Sequence, residues 1–142
     1  MRRVTRFYSR VDDDTTAELA HAELCKYDEN YALSRRGAGA LQSPQFDGMP
    51  KSPSIDNHLE ANVVNHVYAG NWVQRVNNTI NGLVDDRYRI ILNLYYLKHV
   101  DDGSIMARIG LEKSRYYEAK KDALVTFAEA WLPYPSELVV KR

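Results

Sequence analysis

Six side chains near the start of the last helical pattern have the types and spacing to bind a nucleic acid: Lys113, Ser114, Arg115, Tyr117, Glu118 and Lys121. With Tyr116 set at zero and about 100° added per residue, Lys120, Ala123, Leu124, Phe127 and Trp131 fall within about 80° of it. These make the apolar stripe, past which Lys120 must lead its charge. Ser114, Arg115, Glu118, Lys121 and Asp122 fall on the opposite face. There an arginine can donate to guanine O6 and N7 or to a phosphate, and a glutamate can accept from cytosine N4 or pair with Lys121. Ser114 and a helix N-terminus can hold a phosphate, for which Lys113 and Lys121 are further candidates. Tyr117, at the edge of the stripe, is placed for a hydrogen bond to a DNA backbone. A solvated amphipathic helix shows a similar charged face, so the surrounding elements must decide.

Other constellations carry less. His21 and Cys25 lie at i, i+4 and could offer two zinc ligands, but no second pair has suitable spacing. Asp12-Asp13-Asp14 lacks the glycine and bidentate glutamate of a calcium loop. Gly37-Ala38-Gly39 has no following strand or lysine, so it is no phosphate loop. His21, His58, His66 and His99 are scattered. No nucleophile, base and acid set stands out, so neither an enzyme nor a cofactor is expected.

The elements that position the six side chains read as all-α. Asp12 to Thr16 opens a helix, and apolar residues recur at helical spacing to about Arg35. Residues 37–54 hold three of the five prolines and three of the seven glycines and predict a linker. Ser54 or Asp56 then caps a helix whose stripe, Ile55, Leu59, Val63, Val67, Trp72, Val76, Ile80 and Leu83, steps mostly by four. That stripe predicts core packing first and dimerisation second. Asn81-Gly82 stops this helix, and Asp85 or Asp86 starts the next, with Ile90, Ile91, Leu94, Tyr95 and Leu97 as its apolar set. Asp101 or Asp102 caps a short helix closed by Gly110, and Lys113 or Ser114 opens the last. Pro133 and Pro135 end it near Trp131, leaving a loose tail to Arg142. A short helix, a glycine turn and a longer helix over residues 86–131 form the unit that most often places a helix in a DNA groove. The domain expectation is therefore an arm and N-terminal helix over 1–36, a linker over 37–54, a helical DNA-binding domain over 55–132, and the tail.

Charge qualifies this picture. The chain of 142 residues has 19 Lys and Arg against 19 Asp and Glu, which argues against coating nucleic acid by bulk charge. Residues 85–124 hold eight basic and seven acidic side chains, so a nearly balanced segment must bind by placement. Arg2, Arg3, Arg6 and Arg10 form an acid-free N-terminal arm that could reach phosphates or simply be solvated. No apolar run reaches membrane-spanning length, no apolar stretch follows the basic start as in a secretory signal, and Cys25 stands alone. A cytoplasmic protein is expected.

The run RYRIILNLYYL…DDGSIMARIGLEKSRYYEAKKDALVTFA resembles the ArpU family of late-transcription regulators from phages of Gram-positive bacteria. Upstream, Asp14-x-Thr16, Ser43-Pro44, Gly48-Met49-Pro50 and Asn57-x-x-Glu60 follow in matching order, so the resemblance spans roughly residues 12–132. Its most specific part is Tyr116-Tyr117-x-x-Lys120-x-x-Ala123-Leu124. The resemblance implies a helix-turn-helix like region four of bacterial sigma factors. It also implies a regulator of late genes for packaging and lysis, expected to be an activator, acting at double-stranded promoter DNA with host RNA polymerase. Lys113, Ser114, Arg115, Tyr117, Glu118 and Lys121 then fall in the recognition helix. Ser104-Ile105-Met106 stands where sigma factors usually have Glu-Ile-Ala. The alternatives are a DNA-recognition subunit of a phage packaging machine and a helical protein-interaction module without DNA binding.

Overall fold

The computed structural model describes residues 11–42, 53–133 and 135–141, and gives the backbone alone for 36–42, 53–64 and 66. The arginine arm and residues 43–52 of the expected linker lie outside the described residues. The chain is all-α, as its periodicity predicts. The helices are α1 (Asp13–Leu24), α2 (Tyr27–Gln42), α3 (Pro53–Asn81), α4 (Asp86–Leu92), α5 (Asp102–Ile109) and α6 (Lys113–Ala130), with a π-helical turn, Asn93–Leu97, continuing α4. Among the described residues there is no helix long and apolar enough to cross a membrane.

Two compact units divide the chain. The described residues up to Lys26 and from Asn77 onward form one, and Tyr27–Val76 forms the other. The single helix expected to run to about Arg35 is broken at Cys25-Lys26, and α2 starts afresh with Asp28 and Glu29 in its first turn. Acids at a helix start are favoured by the dipole. Apolar spacing continues through the break, which is why periodicity did not show it. Helix α2 also runs through Gly37 and Gly39 to Gln42, where a linker was expected. Glycine costs a helix about 1 kcal/mol per residue relative to alanine but does not forbid it. In this unit Tyr27 packs against Trp72, with ring centroids 6.4 Å apart.

The first unit is built around α6. Tyr116, Ala123, Val125, Phe127 and Ala128 are fully buried, and α1 and α4 pack on this helix. Ala20 and Leu24 come from α1, Ile91 and Leu92 from α4, and Ile105 from α5. The burial of Val125 and Ala128 beside Phe127 and Trp131 widens the expected stripe toward the helix C-terminus. Aspartates cap three helices, as their positions predict: Asp12 accepts from Thr15 N at 3.1 Å, Asp85 from Arg87 N at 2.8 Å and Asp101 from Ser104 N at 3.0 Å. The Arg89 guanidinium donates to the carbonyls of Leu83 and Val84, closing the turn between α3 and α4.

The π-helical turn alters which tyrosine is buried. Lys98 N donates to Asn93 O at 3.0 Å, an i→i+5 bond. The wider turn rotates the faces, so Tyr96 is 4% exposed and Tyr95 only half-buried, although a regular helix puts Tyr95 on the apolar side. His99 follows at φ 59°, in the left-handed region that reverses the chain toward α5.

The tail is not loose. Asp12 N donates to Val140 O at 2.7 Å, and Val11 and Lys141 form an antiparallel bridge. The buried Thr16 hydroxyl accepts from Val140 N at 3.0 Å. Leu138 and Val11 are buried. The prolines do end α6, but the apolar residues after them return to cover the start of α1.

Candidate nucleic-acid interface

Helix α5, the turn Gly110-Leu111-Glu112 and α6 follow in the expected order. Gly110 closes α5 at φ 71°, with its N–H on Met106 O at 2.9 Å. That backbone conformation favours glycine. The chain turns there, and Glu112 becomes the N-cap of α6 without a side-chain bond to the helix start. The first-turn amides of α6 therefore keep their positive end toward the surface.

All six predicted side chains are exposed on α6. They share a helix but not an environment. Arg115 pairs with Glu112, at 3.8 Å, with both side chains 74% exposed. An exposed pair of this kind contributes little. Lys113 and Ser114 lie beside it in the first turn. Lys121 donates to the Asp14 carboxylate of α1, which raises its pKa, with the charge of Asp13 adding to the effect. A phosphate must displace Asp14 to engage Lys121 fully. The basic character of this surface is therefore concentrated at the start of the helix, at Lys113 and Arg115.

Tyr117 is 43% exposed and its hydroxyl donates to Asp102 Oδ2 at 3.4 Å. The Asp102 charge holds its pKa above the ordinary phenol value. Asp102 gathers more. Tyr116 Oη donates to its Oδ1 at 2.5 Å and Lys120 Nζ at 3.1 Å. Lys120 also lies 3.4 Å from the centroid of the Tyr95 ring, a cation–π contact. So Lys120 does not lead its charge out into solvent; its side chain is 13% exposed and pairs with Asp102. Burial, then the bond to Asp102, pushes the Tyr116 phenol well up. This cluster fastens α5 to α6. Sequence reasoning read Asp102 only as a possible cap; the i, i+4 spacing of Tyr116 and Lys120 was the available signal.

A depression of about 220 Å³ opens on the flank of α6 that carries Arg115 and Glu118, away from Tyr117 and Lys121, and is lined by Arg87, Leu111, Arg115, Glu118, Ala119 and Asp122. Arg87 comes from α4, and sequence reasoning did not join it to the recognition positions. His21 and Cys25 do come together, with Cys25 Sγ 3.5 Å from His21 Nε2. His21 Nδ1 meets Tyr96 Oη at 2.7 Å, and no group of three metal-ligating side chains occurs among the described residues. Arg2, Arg3, Arg6 and Arg10 lie outside the described residues.

No family model, curated protein or solved structure matches the chain.

Proposed function

We propose that this chain is a sequence-specific, double-stranded-DNA-binding transcriptional regulator in which α5 and α6 form a helix-turn-helix. The observation that carries this reading is the glycine-closed turn into α6, whose apolar side is buried while Lys113, Ser114, Arg115, Tyr117 and Glu118 all stand exposed. A recognition helix needs this division: one face fixed by the core, the other open to base edges and phosphates. The uncapped amides at the start of α6 suit a phosphate. The resemblance to ArpU-like regulators supports the finer reading, an activator of phage late genes that works at promoter DNA with host RNA polymerase. The near balance of charge fits a protein whose affinity is completed by a partner.

The test is a gel shift on DNA from upstream of a late operon. Arg115→Ala should weaken retention by about 1–3 kcal/mol if Arg115 reads a base. Lys113→Ala should weaken binding to all sequences alike and shallow its dependence on salt. Unchanged retention by both variants would overturn the assignment of α6. Helix α3 favours a second reading, in which the other unit binds a protein. Val67 is 52% and Tyr68 72% exposed on that helix. A homodimer or a polymerase contact through those two side chains is compatible with DNA binding by α6.

A further inference from the structure

We propose that Asp14 is a built-in competitor for DNA phosphate, which holds Lys121 out of sequence-independent binding until a DNA backbone displaces it. This rests on the DNA-binding reading above and names how that surface is restrained. Lys121 stands seven residues after Ser114 on α6, so the two lie within about 20° of each other around the helix and about two turns apart along it. Tyr117 falls between them along the axis. Ser114, Tyr117 and Lys121 thus share one flank, which begins at the open amides of the helix start. A phosphate backbone laid along this flank meets those amides at one end and Lys121 at the other.

At the Lys121 end a carboxylate is already seated. Lys121 donates to Asp14 Oδ1, with the two side chains 45% and 80% exposed. A carboxylate offers an ammonium what a phosphate offers it, a charged oxygen acceptor. The fold holds this competitor in place. Thr16, Ala17, Ala20 and Leu24 of α1 are buried, and α1 packs on α6, so the first turn of α1 stays beside Lys121. Asp12, not Asp14, caps α1. An exposed ion pair contributes little to stability, so the buried residues rather than this pair dock α1.

The pair matters more for binding than for folding because cations are few on this face. Lys113, Arg115 and Lys121 are the three among the six recognition positions, and Asp14 occupies one of them. Other acids support the hold. The charges of Asp13 and Asp122 act on the same ammonium. Glu18, one turn after Asp14, lines with Tyr117 and Lys121 a depression of about 270 Å³ between α1 and α6. A phosphate reaching Lys121 must therefore work against an acidic edge supplied by α1.

The experiment is a salt titration of random-sequence duplex binding by the full-length protein, for wild type, Asp14→Asn, Lys121→Ala and the double variant. At about 50 mM salt, Asp14→Asn should bind about two- to fivefold more tightly than wild type, the range that one exposed ion pair supplies. Its affinity should also fall more steeply with salt, by about one released counterion. In the Lys121→Ala background the same substitution should gain almost nothing. Asp14→Ser, a second neutral variant, should repeat the gain. An equal gain with and without Lys121 would show only a general loss of negative charge, and no gain would show that Asp14 does not compete. Either result overturns the proposal while DNA binding stands. If neither wild type nor Asp14→Asn retains any duplex at low salt, the DNA-binding reading fails and the proposal falls with it.

Discussion

At the scale of single residues, Asp102 does most to fix the proposed recognition surface without lying on it. Its carboxylate accepts from Tyr116, Tyr117 and Lys120, and so links the first turn of α5 to the first half of α6. Asp102→Ala should destabilise the protein by about 2–3 kcal/mol, because it strands a largely buried ammonium and a buried phenol. Chemical denaturation checks this, and Lys120→Met in the same background should recover part of the loss. The phenols add a dependence on pH. Burial raises the pKa of both Tyr96 and Tyr116, so the folded chain keeps protons that the unfolded chain releases near pH 10. Their contribution is intact below that pH and is lost as pH rises above it. Melting temperatures followed from pH 8 upward should fall above about pH 10, and less steeply in Tyr116→Phe than in wild type.

At the scale of elements, the turn between α5 and α6 and the cap of every helix after α3 except α6 could be read from short patterns. Asp85, Asp101 and Gly110 act where their chemistry places them. Gly110→Ala should cost about 1 kcal/mol through its left-handed backbone. No atom outside its neighbourhood crowds an added Cβ, so denaturation should show this modest loss with an unchanged fold. What the sequence hid is equally specific. The π-helical turn at Asn93–Leu97 exchanges Tyr95 for Tyr96 in the core, and no local residue type marks such a turn. The break at Cys25-Lys26 is invisible because apolar spacing resumes in phase with the eye. Of the candidate site, the exposed residues of α6 were legible from helical geometry. Arg87, Asp14 and Asp102 were not, since each reaches α6 from a different element.

For the whole molecule, the two ends of the first unit hold each other. Thr16 and Val140 exchange hydrogen bonds across nearly the length of the chain. Truncation after Pro133 should expose Val11 and lower the melting temperature of the unit by several degrees, roughly what a loss of 1–2 kcal/mol produces. Charge is also a property of the whole. A sum of zero, with Lys121 already held by Asp14, leaves little general attraction for DNA. On the proposed reading, selectivity then comes from shape and placement on α6. Helix α3 adds exposed Val67 and Tyr68.

The most direct measurement is the ratio of affinities for a selected duplex and a scrambled one, at fixed salt, for wild type and Arg115→Ala. A specific reader should prefer its site by about a thousandfold or more. Arg115→Ala should lose about 1–3 kcal/mol of that preference, with its melting temperature unchanged. Equal affinity of wild type for the two duplexes would contradict the account.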